Sequence, residues 1–225
     1  MLDDQAALAG FDGTARLFPL PNLVLFPHVL QGLHIFEPRY RQMTADAIAS
    51  DGLLTLVLLK PGWDANYDDR PDIESVACVC RILRHELLPD GRYNLRVRGL
   101  SRIRLGDELQ IDKLYRIARG ELVSDVAPAE LNRSRELRRL LADAVLPRFE
   151  ATGPAHQHLH ELFEGETPLG NLCDMLAYAL PIPLELKQQL LADPHVATRV
   201  EVLARALHAA KPAAHRQFPP DFSPN

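Results

Sequence analysis

The chain has 225 residues, 47% of them hydrophobic, enough to bury the core of one large domain or two small ones, which excludes an intrinsically disordered protein. A formal charge of −5 and a pI near 6.0 exclude a global positive field that would draw it onto nucleic acid or an anionic membrane. The basic residues are 21 arginines against four lysines, Lys60, Lys113, Lys187 and Lys211, a skew that reads as coding bias first and as function only where arginines cluster.

The opening MLDDQAALAGFDG carries acids where a signal peptide carries bases, and no stretch reaches the roughly 20 apolar residues needed to span a bilayer. A cytoplasmic address without membrane attachment is expected. Cys78 and Cys80 lie two apart on one strand and Cys173 stands alone, a pattern of buried reduced thiols rather than a disulfide framework.

Residues 1–13 are weakly patterned and expected to be flexible. The segment 17–35 (LFPLPNLVLFPHVLQGLHI) is apolar but cut by Pro19, Pro21 and Pro27. Proline cannot donate to a ladder, so short, broken edge strands are predicted there. Pro38 suits a first helical position, and Tyr40, Met43, Ala47 and Ile48 follow at helical spacing until Asp51-Gly52, predicting a helix over 38–50. LLTLVLL (53–59) reads as a buried strand, and 61–73 as a polar loop holding the single tryptophan. A long hairpin is predicted from 74–88 and 92–105 around Pro89-Asp90-Gly91-Arg92, with Asp-Gly supplying the positive-φ positions of the turn. In its second arm Leu95, Val97, Ile103 and Leu105 share one parity and Arg96, Arg98, Arg102 and Arg104 the other, which predicts an arginine face. A strand over 113–123 closes this part.

From Pro128 the period becomes helical. Leu137, Leu140, Leu141, Ala144 and Val145 form a stripe ending at Pro147, and further helices are predicted over 154–164, 168–179, 183–192 and 195–210. Strands first and helices after define an α+β protein: a β-rich part over 14–124 with one helix, a helical bundle over 125–210, and a flexible tail over 211–225. No internal repeat is present.

The motifs of common catalytic sites are missing: there is no phosphate-cradling G-x-x-x-x-G-K-[ST], no G-x-G-x-x-G and no G-x-S-x-G. His156 and His160 stand one helical turn apart with His158, Glu161 and Glu164 nearby, but Glu164 falls where H-E-x-x-H needs its second histidine, so a solvated helix start is the simpler reading. Asp64, Asp68, Asp69 and Asp72 lack the spacing of a calcium loop. The arginine face has two readings, a grip for phosphate or an acidic peptide, and an exposed sheet face paired with neighbouring carboxylates. Trp63 and Tyr67 are either recognition aromatics or rings folded onto the core.

LFPLPNLVLFPHVLQGLHIFEPRYRQM (17–43) resembles the opening of the Lon substrate-binding domain family: a leucine-proline strand, a VLFP turn and an F-E-P-R-Y-R-x-M helix entry. Residues 76–105 resemble that family's strand, LPDGR hairpin and V-x-G-x-x-R return strand, and 171–207 its closing helices with a K-Q-x-L-L segment. The resemblance covers nearly all of 14–210. It implies a PUA-like β-barrel or folded sheet followed by a helical bundle, and a non-catalytic module without the AAA+ motor or Ser-Lys protease domain of full-length Lon. No cofactor or metal is expected. The implied ligand is unfolded or degron-like polypeptide, or a separate protease for which the chain serves as adaptor or regulator. The candidate docking residues are Phe26, His28, Trp63, Tyr67, Arg96, Arg98 and Arg102. RNA binding through the arginine face is the alternative, disfavoured by the acidic balance, and a metal-dependent enzyme using the histidines is the weakest reading.

Overall fold

Alternation of apolar and polar residues in the first half, and a helical period in the second, give two structural units that divide at Ser124/Asp125 in the computed structural model, which describes residues 4–66, 70–151 and 153–209. The protein is α+β. In the first unit a short helix, α1 (Asp4–Ala9), forms in the opening segment where the sequence pattern suggests no element. The strands β1 (Thr14–Leu20), β2 (Leu30–Ile35), β3 (Leu53–Leu58), β4 (Val76–Leu87), β5 (Tyr93–Leu109) and β6 (Ile117–Val123) build one mixed sheet in the order β2-β5-β4-β3-β1-β6. Strand β6 returns to pair with β5, so β5, β4, β3, β1 and β6 close on themselves as a barrel, the arrangement that removes free edges.

The barrel interior is filled by inward residues of all five strands: Ala15, Leu17, Leu53, Val57, Ala77, Val79, Leu100, Ile103 and Ala118, with Ala7 and Leu8 of α1 and Phe11 packed against them. Outside the wall lies α2 (Pro38–Ile48), opened by Pro38 at its first turn as the sequence predicts and burying Tyr40, Met43 and Ala47. The Tyr40 ring meets Phe18 of β1 at 4.6 Å between centroids. Covered on both faces, β3 is buried at every position.

Two expectations for the strands are corrected. β1 is an interior strand, pairing with β3 through Leu17–Leu20 and with β6 through Thr14–Arg16. Pro19 is accommodated because β6 pairs with β1 only through Arg16, so no ladder bond is asked of its nitrogen. The hairpin closes through three residues, Pro89-Asp90-Gly91, and Gly91 alone takes positive φ there. The Gly91 amide donates to the Leu88 carbonyl at 2.9 Å, and the Leu88 amide to the Arg92 carbonyl at 2.8 Å.

In the second unit five helices, α3 (Leu131–Val145), α4 (Pro154–Glu164), α5 (Leu169–Ala179), α6 (Leu184–Ala192) and α7 (Val196–Ala209), follow the predicted spans within a few residues. α3 packs along α7, with Leu137, Leu141, Ala144 and Val145 turned inward against a core that includes Val200, Leu203 and Leu207. Among the described residues no helix is long and apolar enough to cross a membrane.

Candidate binding face of the barrel

β5 is 17 residues long, and only its second half belongs to the closed barrel wall on both edges. Its first half extends as a three-stranded ribbon with the end of β4 on one side and β2 on the other. Strand β3 stops pairing with β4 at Arg81, and β2 pairs with β5 alone among the described residues. Its outer edge therefore carries backbone groups that no strand pairs among the described residues, the Gly32 carbonyl being capped by the Gln31 side-chain amide, which an added strand would displace.

Directly opposed residues share a face, so the register gives three rows across the exposed side of this ribbon, the side that continues the barrel's inner face. The first is Arg81, Arg98 and Leu30; the second Arg84, Arg96 and Gly32; the third Glu86, Asn94 and His34. In the first row Asp4 of α1 lies against both cations, 3.7 Å from Arg81 and 3.1 Å from Arg98. In the third a hydrogen-bond chain crosses all three strands. Arg92 Nη1 donates to His34 Nε2 at 3.3 Å, His34 Nδ1 donates to Asn94 Oδ1 at 2.9 Å, and Asn94 Nδ2 donates to Glu86 Oε2 at 3.1 Å. This network assigns the Nδ1–H tautomer to His34. Its ring stacks at 6.3 Å on Phe36, which is 45% exposed, as is Leu30. Beside the row, the Arg92 guanidinium and backbone amide hold the Asp90 carboxyl below its ordinary range. In the middle row Arg84 and Arg96 are both exposed.

The ribbon gathers three of the residues singled out from the sequence. Arg96 and Arg98 lie on it, and exposed His28 stands just before β2, its amide donating to the Gly99 carbonyl at 2.8 Å. His28 has φ 66° at the third position of the turn Phe26-Pro27-His28-Val29, a place that favours glycine. Two others are corrected. Phe26 is completely buried, 0% exposed, because the turn it opens folds back onto Gly99. Arg102 is 2% exposed, because the ladder sets Ser101 opposite Val79 and Gly99 opposite Cys80, which makes Leu100 a bulge. The extra residue inverts the parity of β5, placing Arg102 beside buried Cys78 and on the face opposite Arg96 and Arg98. The single arginine face is thus split in two. Trp63 is half-buried in a 3-10 turn between β3 and β4, and Tyr67, like Asp68 and Asp69 of the acidic loop, lies outside the described residues.

Sequence reasoning missed Arg81, Arg84, Gly32 and His34. The signal for the arginines was present in the first hairpin arm, CRILRHEL, whose cations come to face those of the second arm. In the second unit His156 and His160 lie with ring centroids 6.5 Å apart, and the described residues contain no group of three His, Cys, Asp or Glu side chains arranged to hold a metal. A cleft of about 310 Å³ is lined by Leu131, Arg135, Arg138, Leu169 and Val196 among others. Its Arg138 is already engaged, donating to the carbonyls at the end of α4 and to that of Thr167.

A five-stranded barrel carrying one extra edge strand, in a chain that continues into a helical bundle, is the fold of Lon N-terminal domains. The N-terminal domain of a Mycobacterium avium complex Lon protease superimposes with a TM-score of 0.69 at 16% identity, covering 87% of this chain and 98% of that one. A Lon N-terminal domain protein from Xanthomonas campestris does so with a TM-score of 0.63 at 24% identity, covering 85% and 97%. Residues 14–209 match the ATP-dependent protease La (LON) substrate-binding domain, and the chain belongs to that family. Lon protease 1 of Thermus thermophilus is 28% identical over 200 residues, 85% of this chain and 24% of that protein. The Lon protease of Azospirillum brasilense is 29% identical over 189 residues, 81% and 22%. The chain thus spans about a quarter of the length of the curated relatives it matches.

Proposed function

We propose that this protein is a binding module for extended, unfolded or degron-like polypeptide, without catalysis of its own, which serves in the cytoplasm as adaptor or regulator for a separate protease. One observation carries the reading: β2 has an edge with no partner strand among the described residues, flanked by exposed Leu30 and Phe36, in a substrate-binding-family domain. A polypeptide added there gains main-chain hydrogen bonds that do not depend on its sequence, while alternate side chains meet the ribbon face. Such a mode suits a receptor for chains whose shared property is being unfolded.

Amide hydrogen exchange of the intact protein, with and without casein as an unfolded chain, tests this. The expected result is casein binding with slowed exchange at the outward amides of Leu30–Ile35. Protection confined to other elements, or no binding of casein, would overturn the proposal.

A further inference from the structure

Two consecutive rows of the ribbon set arginine directly opposite arginine: Arg81 faces Arg98, and Arg84 faces Arg96. Like charges opposed across a sheet repel. In the first row the Asp4 carboxylate lies against both cations and relieves the repulsion. In the second, neither exposed arginine makes a hydrogen bond or ion pair with the described residues. The open pair therefore repeats the arrangement that its neighbour completes with a carboxylate.

We infer that Arg84 and Arg96 receive a carboxylate side chain of the bound polypeptide, so that the ligand class is an extended acidic segment rather than any unfolded chain. The inference rests on the strand-addition reading above. A strand laid along β2 continues the rows, and its residue opposite Gly32 projects on the same face as Arg96, two strand spacings or about 9–10 Å away. Gly32 puts no side chain between them, and a guanidinium reaching from one side meets a glutamate reaching from the other. The ligand residues two positions to either side fall opposite exposed Leu30 and opposite His34 with its stacked Phe36, which calls for apolar or aromatic side chains there. The pattern sought is one acid flanked at i±2 by apolar residues. A phosphate backbone suits the face less well, because it brings charge at every nucleotide and the next row carries Glu86.

The test is fluorescence anisotropy on the full chain with two labelled nine-residue peptides that carry apolar residues two positions to either side of the centre, one with a central glutamate and one with glutamine in its place. The glutamate peptide should bind about tenfold more tightly at low salt, as a charge-assisted pair predicts. The Arg84→Gln/Arg96→Gln double variant should bind both peptides as wild type binds the glutamine form. Because it removes a like-charge pair from an exposed face, its melting temperature should not fall, and a normal melt excludes misfolding as the cause. Asp4→Asn, which opens the Arg81–Arg98 pair, should widen the preference for acid. Equal binding of both peptides by wild type, or a preference that survives in the double variant, would overturn this inference while leaving strand addition standing. If neither peptide nor casein binds, the strand-addition reading itself fails. Tight single-stranded RNA binding abolished in the double variant would assign the pair to phosphate instead.

Discussion

Arg199 of α7 and Asp125, 74 residues apart, meet through two parallel hydrogen bonds of 2.8 and 2.7 Å. Arg199 is fully buried, and its second anion, Asp174 of α5, is 2% exposed at 3.4 Å. Asp125, Asp174 and the hydrogen bonds keep the guanidinium charged against the cost of its burial. Gly170 makes room for the pair, since a Cβ there would overlap the Asp125 carboxylate. Removing the cation alone takes the buried counter-charge from Asp125 and Asp174 together, so Arg199→Met should destabilise the helical unit by about 3–5 kcal/mol in urea denaturation. Adding Asp174→Leu should recover part of that loss. An Arg199→Met protein of unchanged stability would mean that the network is incidental to the bundle.

Gly99 sits where the Phe26–Val29 turn crosses β5, its amide donating to Val29 and its carbonyl accepting from His28. An added Cβ would overlap the Phe26 carbonyl. Gly99→Ala should therefore cost about 2–3 kcal/mol, because a backbone carbonyl rather than a flexible side chain must move. The corresponding change at Gly52, where open space surrounds the Cβ position but φ is +72°, tests backbone strain alone and serves as the control.

His28 holds a positive φ that L-residues disfavour, so His28→Gly should stabilise the protein by about 1 kcal/mol, seen as a raised urea midpoint at unchanged slope. If the imidazole contributes to ligand contact, the same variant weakens casein binding while gaining stability. The two readouts moving in opposite directions would mark His28 as a residue retained for binding at the expense of the fold.

Lys187 is half-buried beside Tyr178, with its Nζ donating to the Tyr178 carbonyl and lying 5.6 Å from the ring centroid. Burial brings its amine down to about 8. Between pH 8 and the ordinary lysine value near 10.5, the unfolded chain holds a proton that the folded chain has released, so this group's contribution raises stability as pH rises through that window. Below pH 8 both states are charged and its full penalty applies. NMR of ¹³C-methylated lysines should show one amine titrating near pH 8 and vanishing in Lys187→Met. Titration of every lysine near 10.5 would refute the assignment.

The elements were legible because their signals are local. Pro154, Gly165 and the intervening period mark α4 at both ends, and the apolar run after Gly52 marks β3. What could not be read is which side of the sheet each residue takes. Alternation holds only in an unbroken strand, and β4 and β5 each insert a residue, Leu83 and Leu100, that the partner strand does not match. The inferred arginine face therefore joined Arg96 and Arg98 to Arg102, which the bulge turns to the opposite, buried face, and overlooked Arg81 and Arg84, which only the cross-strand register brings to them. Gly99, next to the bulge, was the one local hint. Phe26 was misjudged for a related reason: a proline turn was legible, but its return onto a glycine 73 positions later is a long-range contact.

Among the described residues strand β2 joins the sheet through one ladder, along β5, and that attachment has a mechanical direction. A chain seated on its edge and drawn along the strand axis loads every ladder hydrogen bond in parallel, whereas one drawn across the axis peels them apart one at a time. On the proposed strand addition, the face would hold a bound segment firmly against traction from one quarter and surrender it readily to traction from another, so that the heading of the pull, as well as affinity, would decide when it is let go.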